Sequence, residues 1–287
     1  MPNKHHKILK YGCLISAIAL VLVILAAAWL YSGTLTPGKI KIFQTIPLPM
    51  ALVNGHPLSM KDFLIRFAAA QKTLAQNNAQ QTKPAIVQQL IKEAEVSQLA
   101  SQREVSVNQK QIDQEYSALS AQTNLEGQAN FEGFLQSRGL TENILKNSVI
   151  KPELLLNQLQ IWFNSQPNLS PQAYQLANSL LGQINSGTSM SALAGQFSQD
   201  PTGKSLGGDM GFVQITDLSQ ELRESVSGLK PGETKIIPGL KGLHIIRLEE
   251  QTGNLLHLRG IFLNTNDFNA WLDTQTKNFK VINLLRI

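Results

Sequence analysis

Phe197-Ser198-Gln199-Asp200-Pro201, Gly207-Gly208-Asp209-Met210-Gly211-Phe212, Leu229-Lys230-Pro231-Gly232-Glu233 and Gly242-Leu243-His244-Ile245-Ile246 follow one another in the C-terminal half of the chain, and their reading decides the fold. Gly207-Gly208 loops into a strand-like run, Met210 to Val213. A helix follows around Leu218 to Val226. Lys230-Pro231-Gly232-Glu233 is a turn between that helix and the strand Thr234 to Pro238, and a second strand runs from Leu243 to Leu248. Upstream, Ser170 and Pro171 are an N-cap and first-turn pair for a helix over Gln172 to Ile184, which Gly187 stops. Met190 to Phe197 is a shorter helix. Helices set against a small set of strands make an α+β domain.

These four elements, in this order and spacing over roughly residues 170–250, resemble the parvulin family of peptidyl-prolyl cis-trans isomerases. The resemblance implies an antiparallel sheet wrapped by helices and a site for X–Pro bonds. It puts Asp200 where the family has a Cys or Asp beside the bound amide. His244 takes the strand histidine behind that amide. Leu218 and Leu222 take the wall of the proline pocket, and Met210 and Phe212 border it after the Gly-Gly-Asp loop. Each residue also has a plain structural reading: Asp200 as a turn cap, His244 as a core histidine, the leucines as core.

The chain departs from the family pattern at its first strand, which normally carries a second histidine. Leu159-Gln160-Ile161-Trp162-Phe163 precedes the Ser170 helix instead, has no His, and reads as the end of a helix. The missing strand has a counterpart at the other end. Gln251-Thr252-Gly253-Asn254 turns the chain into Leu258-Arg259-Gly260-Ile261-Phe262-Leu263, with Gly260 at the histidine position. We therefore expect a circularly permuted sheet in which Leu258–Leu263 pairs with Leu243–Leu248. The competing reading is an edge strand added by a C-terminal extension. Either way the two-histidine network is incomplete, since alternation puts His257 on the face opposite Gly260. Phe268, Trp271 and Leu272 then predict a helix, and Val281, Ile282, Leu284 and Leu285 a short strand returning to a core.

Residues 50–163 read as mostly helical. Ala51-Leu52-Val53 and Asn54-Gly55 are a strand and a turn, and Ser59 caps a helix. Ile86, Leu90, Ile91, Ala94 and Leu99 recur at helical spacing. Ser106 is a cap for a helix through Ile112 and Tyr116. Gly139 stops another, and Thr141 caps the next. No titratable cluster here has catalytic spacing. The Val-Asn-Gly entry, the Gln-Leu-Ile helix, Val-Ser-Val before Gln-Ile-Asp and Phe-Leu before Gly-Leu-Thr are similar to the chaperone-like N-terminal region of the SurA and PrsA foldases. That implies helices that pack on one another or a groove for unfolded chains.

The N-terminus explains the charge. The chain has 287 residues, 25 Lys+Arg against 20 Asp+Glu, a net +5, and one Cys. Residues 1–10 carry Lys4, Lys7 and Lys10 and no acid. Uncharged Cys13 to Leu30 follows, within an expected anchor at 11–31. About 20 apolar residues cross a bilayer core, and a basic flank stays cytoplasmic. The alternative is a cleaved signal peptide ending near Ala26-Ala27-Ala28. Residues 32–49, rich in Pro and Gly, are expected to be an extended linker, and 164–287 the parvulin-like domain. This gives a single-pass protein of the cytoplasmic membrane whose bulk faces outward. With most of the basic excess in the stub and no basic stripe interleaved with aromatics, no nucleic-acid partner is expected. One Cys excludes an internal disulfide framework. No zinc-type His/Cys spacing and no phosphate-binding Gly-Lys-Ser/Thr loop occurs, so no metal or cofactor is expected, and without a basic cluster at the phosphate-recognition loop of the family no selectivity for phosphorylated sites is expected.

The sequence thus points to a membrane-anchored foldase acting on exported or unfolded polypeptides with X–Pro bonds. The other readings are a weakly active or inactive holdase of parvulin shape and a scaffold subunit of a membrane complex.

Overall fold

The computed structural model describes residues 22–32, 34–73, 82–125 and 131–285. They form two units that interleave along the chain. One holds the residues up to Gln98, Asp113–Ile150 and the residues from Asn278 on. The other holds Leu99–Ile112 and Lys151–Lys277.

The first unit is built on α1 (Pro37–Thr45), β1 (Pro49–Val53), β2 (His56–Ser59), α2 (Met60–Thr73) and the greater part of α3 (Lys83–Gln102). β1 and β2 are a hairpin closed by Asn54-Gly55, both at positive φ (50° and 81°), the backbone a tight two-residue turn requires. The stretch expected as an extended linker contains α1. Pro37 starts it, and Phe43 is buried in a core with Met50, Val53, Met60, Phe63 and Leu90. Tyr31, the last residue of the expected anchor, donates its hydroxyl to the carbonyl of Pro49 at 2.6 Å and packs on Phe43. The short strand β7 (Val281–Asn283) pairs with β1, giving a three-stranded sheet in the order β2-β1-β7.

α4 (Gln109–Leu125) is capped by Asn108 rather than Ser106. The Asn108 side chain accepts from the Gln111 N–H, and Gln111 Oε1 accepts from the Asn108 N–H. These two contacts form the reciprocal N-terminal pair of a capping box. Ser59 and Thr141 cap as expected, and Gly139 ends α5 (Phe131–Ser137) at φ 70°. α6 (Glu142–Leu145) runs through a π-helical turn, Lys146–Ile150, into α7 (Lys151–Asn164). Pro152 has no N–H for the carbonyl of Ser148 four residues back. Arg66 serves it instead, donating Nη2 at 2.7 Å while holding Glu93 in a two-pronged ion pair.

No helix among the described residues is long and apolar enough to cross a membrane. Residues 11–21 of the expected anchor lie outside the described residues. Its remainder is helical over 22–31, with Leu22, Val23, Ile24 and Leu25 exposed.

The second unit carries α8 (Pro171–Asn185), α9 (Met190–Phe197), α10 (Pro201–Ser205), β3 (Asp209–Gln214), α11 (Gln220–Val226), β4 (Thr234–Pro238), β5 (Gly242–Thr252), β6 (Leu255–Asn264) and α12 (Phe268–Thr276). Its sheet is antiparallel throughout in the order β3-β6-β5-β4. The pairing expected of the C-terminal strand is present: Ile245 lies opposite Ile261, Ile246 opposite Gly260 and His244 opposite Phe262. Alternation then sorts the side chains. Leu243, Ile245, Ile261 and Leu263 turn to one face and pack on Leu180, Ile184, Met190 and Leu193 of α8 and α9. Ile246, Leu248, Leu256 and Leu258 turn to the other and pack on Ile237, Leu218 and Val226.

Candidate active site

The second face carries the site. His244 stands on it, half-buried, between the turn that joins β4 to β5 and the Phe262 ring on β6. The His244 and Phe262 ring centroids are 5.1 Å apart. On the turn side the fit is close: a Cβ on Gly239 would come within 2.9 Å of His244 Cδ2 and Nε2. Burial lowers the His244 pKa below its ordinary 6.5, with the Asp200 carboxylate opposing, so the ring is neutral at pH 7. Leu218 is buried in the cluster beneath, and Leu222, on α11, packs against it.

Asp200 is exposed and caps the short helix α10, its Oδ2 accepting from the Gly203 N–H at 2.7 Å. The turn-cap reading of this residue holds, and its charge also reaches His244.

The Gly-Gly-Asp loop is fastened to β6 at Gly260, the residue expected at the family's histidine position. The Gly260 N–H donates to the Gly208 carbonyl at 2.8 Å. Gly208 sits at φ 78°, and a Cβ there would lie 2.4 Å from the Gly260 carbonyl oxygen, so only glycine fits. Asp209 pairs with Arg259 and Phe212 with His257, which leaves Met210 and Gly211 opposite Leu258. This is a bulge with Gly211 at φ 67°. It drapes Met210 over Gly260: a Cβ on Gly260 would meet Met210 Sδ at 3.3 Å and Ile246 Cδ1 at 3.1 Å. The volume next to Gly260 is therefore already lined by a thioether and a methyl group.

Phe212 is not in this group. Its ring stacks on His257 at 4.8 Å between centroids, on the opposite face of the sheet. There His257 Nε2 lies 2.9 Å from Asp209 Oδ1, and Arg259 reaches Asp209, Glu249 and the Gly207 carbonyl. The Gly211 N–H, then His257, holds the Asp209 carboxyl below the ordinary 3.8. This network braces the glycine loop from behind. Of the six residues singled out in the sequence, His244, Leu218, Leu222 and Met210 share one face, Asp200 acts on it through its charge, and Phe212 lies behind.

Sequence reasoning passed over Asn164, Gly239 and Thr265. Asn164, at the end of α7, is 1% exposed. Its Nδ2 donates to the carbonyls of Gly239 at 2.8 Å and Leu240 at 3.1 Å, and its Oδ1 accepts from Thr265 Oγ1 at 2.6 Å. Ser170, expected to cap α8, instead accepts from the Asn266 N–H. An asparagine at a helix end carries no sequence signal of burial. The one hint is its place at the start of the expected domain.

Comparison with known proteins fits this geometry. A SurA-like N-terminal domain model matches residues 3–160, more than half the chain, and a PPIC-type PPIase domain model matches residues 145–252. The second match stops where β5 ends, so β6 lies beyond it. The chain is 23% identical over 254 residues to "Chaperone SurA" of Nitrosospira multiformis, covering 72% of this chain and 57% of that protein. It is 26% identical over 212 residues to the "Probable parvulin-type peptidyl-prolyl cis-trans isomerase" of Bordetella bronchiseptica, covering 70% and 77%. It is 24% identical over 225 residues to "Foldase protein PrsA" of Halalkalibacterium halodurans, covering 69% and 64%. The chain thus spans little more than half the length of the Nitrosospira relative. With both domain models matched in sequence order, the chain belongs to the family that couples a SurA-like N-terminal domain to a PPIC-type peptidyl-prolyl isomerase domain.

Proposed function

We propose that this protein is a foldase that catalyses cis-trans isomerisation of X–Pro bonds in exported or unfolded polypeptides. The observation that carries this is the gathering of His244, Met210, Leu218 and Leu222 on one apolar face of the β3-β6-β5-β4 sheet. In this reading β6 takes the place of the family's first strand, which makes the sheet a circular permutation.

The chemistry needs few polar groups. Rotation about a peptide bond has a barrier of ~18–20 kcal/mol because it breaks amide resonance, and an unassisted X–Pro bond takes tens of seconds or more. Twisting the bond reduces its charge separation. An apolar wall of Met210, Leu218 and Leu222 therefore favours the twisted bond over the planar one, which is differential binding of the transition state. A neutral His244 offers the amide a hydrogen bond without placing a charge beside it. Asp200, at the open edge, is assigned to the amide side of the bound bond. Each tenfold in rate requires only ~1.4 kcal/mol of such preference.

Exchange between cis and trans forms of a proline-containing peptide, followed by NMR with the wild type, Asp200→Ala and His244→Ala, tests the reading. Acceleration by the wild type and its loss in His244→Ala are expected. Background exchange in all three would remove the enzyme and leave the holdase. That second reading is favoured by Gly260, which removes one family histidine. A holdase would still suppress aggregation of an unfolded client.

The anchor and the location belong to the proposal too: residues 11–31 span the cytoplasmic membrane once, with residues 1–10 inside and the bulk outside. Resistance to carbonate extraction, with the C-terminal bulk open to external protease, is the expected result. Release into the soluble fraction would overturn it.

A further inference from the structure

His244 has a neighbour on each side: the β4–β5 turn through Gly239, and β6 through Phe262. Neither piece is held by the histidine itself. The turn is a short connection in which the Gly239 N–H donates to the Gly242 carbonyl at 2.8 Å. In a permuted sheet β6 has lost its connection to α8 and must be located by other means. One side chain reaches both pieces. The Asn164 amide donates to the carbonyls of Gly239 and Leu240 and accepts from Thr265, which follows the last residue of β6. The Asn164 main-chain carbonyl is in turn fixed by the Tyr174 hydroxyl at 2.9 Å, which ties the end of α7 to α8.

We propose that Asn164 is a positioning residue for His244, clamping the Gly239–Leu240 turn and the exit of β6 so that the imidazole keeps one rotamer in its slot. The inference rests on the isomerase reading for its kinetic consequence but not for its structural one. The amide is needed for its two kinds of atom. Its nitrogen serves two carbonyls, and its oxygen serves a hydroxyl. A carboxylate of the same shape would keep only the second contact and would set a negative charge against two carbonyl oxygens. Buried polar groups left without partners are costly, so losing the amide frees the turn rather than leaving it in place.

The test uses the full chain in detergent micelles, with ¹⁵N-labelled histidine rings. Asn164→Asp and Asn164→Ala are expected to raise the His244 titration midpoint toward that of an ordinary histidine as the turn opens to water. They should lower kcat about tenfold while KM changes less than twofold. Thr265→Val, which removes only the hydroxyl, should shift both in the same direction by about twofold to threefold. Gly239→Ala leaves Asn164 intact but pushes a methyl group into the ring, and should reproduce the kcat loss. If the Asn164 variants do not fold, Thr265→Val and Gly239→Ala decide. Folded variants with the wild-type His244 midpoint overturn the proposal. Should the wild type show no isomerase activity, the midpoint alone decides, and failure of the clamp remains distinct from failure of the enzyme.

Discussion

The two faces of the four-stranded sheet are made by the same strands, residue by residue, and do different work. On one, Leu243, Ile245, Ile261 and Leu263 are at most 1% exposed and sealed by α8 and α9. On the other, Ile246, Leu248 and Leu258 are just as deeply buried against Leu218, Val226 and Ile237, but His244, Gly260 and Phe262 are only half-buried, and Met210 is 42% exposed. From Leu243 to His244, a shift of one residue along β5 separates a side chain that holds the fold from the one assigned to the bound amide in the proposed function. Substitutions at adjacent positions should therefore divide into losses of stability and losses of activity.

The largest effect is expected on the sealed face. Ile261→Ala removes side-chain volume from a site with no exposure and should lower unfolding free energy by about 2–5 kcal/mol, read from denaturant titration. The protein that remains folded should isomerise at the wild-type rate. A selective loss of activity without loss of stability would break the division between faces. Gly208→Ala comes next, because its left-handed backbone costs about 1–2 kcal/mol for any other residue and its Cβ also meets the Gly260 carbonyl. It should lower both stability and activity, since this loop fastens β3, which carries Met210, to Gly260.

On the open face, His244→Ala should cut kcat/KM by about tenfold or more, a change that needs ~1.4 kcal/mol, while the denaturant midpoint stays close to that of the wild type. The pH response sharpens the contrast. The folded pKa of His244 is depressed, so its contribution to stability is complete above pH 6.5. As pH falls below that value the unfolded chain takes up a proton that the folded one resists, and stability drops. Melting temperature measured between pH 7.5 and 5.5 should fall more steeply in the wild type than in His244→Gln. Asp209, on the opposite face, is also depressed, but from 3.8. Its contribution is present above that pH and is lost only as pH falls further, so the two faces titrate in separate windows.

Much of this is legible in the sequence because glycines and alternation fix it. Gln251-Thr252-Gly253-Asn254 announces the β5–β6 hairpin, and the Ile245–Ile261 pairing follows from it. The Gly-Gly-Asp loop and the β4 boundaries are equally plain. What stays hidden depends on contacts between residues far apart in sequence. Asn164 meets Gly239 and Thr265 across 75 and 101 positions. Ser170 spends its hydroxyl on Asn266, 96 residues away, rather than on its own helix. α1 reads as a linker because the prolines and glycines of the surrounding stretch 32–49 outweigh the single apolar stripe with which Phe43 enters the core. Local pattern reads backbone geometry well, but says little about which polar side chain will be enclosed.

Phe212 is the sharpest instance and gives the smallest expected effect. Counting by twos from Met210 puts both side chains on one face, which makes Phe212 a wall of the pocket. The bulge at Gly211 adds one residue to β3 and reverses the count, sending Phe212 behind the sheet to stack on His257. A glycine inside a strand pattern is the signal for such a bulge, and here it stands between the two residues in question. Phe212 is 51% exposed, so Phe212→Ala loses one open ring contact, under about 1 kcal/mol, and should leave kcat/KM within twofold of the wild type. Met210→Ala, two residues away, exposes Gly260 and should lower kcat/KM severalfold in the same peptide-exchange assay. Equal losses from the two variants would mean that the bulge does not divide the faces in solution. A loss at Met210 alone would show that one inserted residue decides which side chain meets the proline.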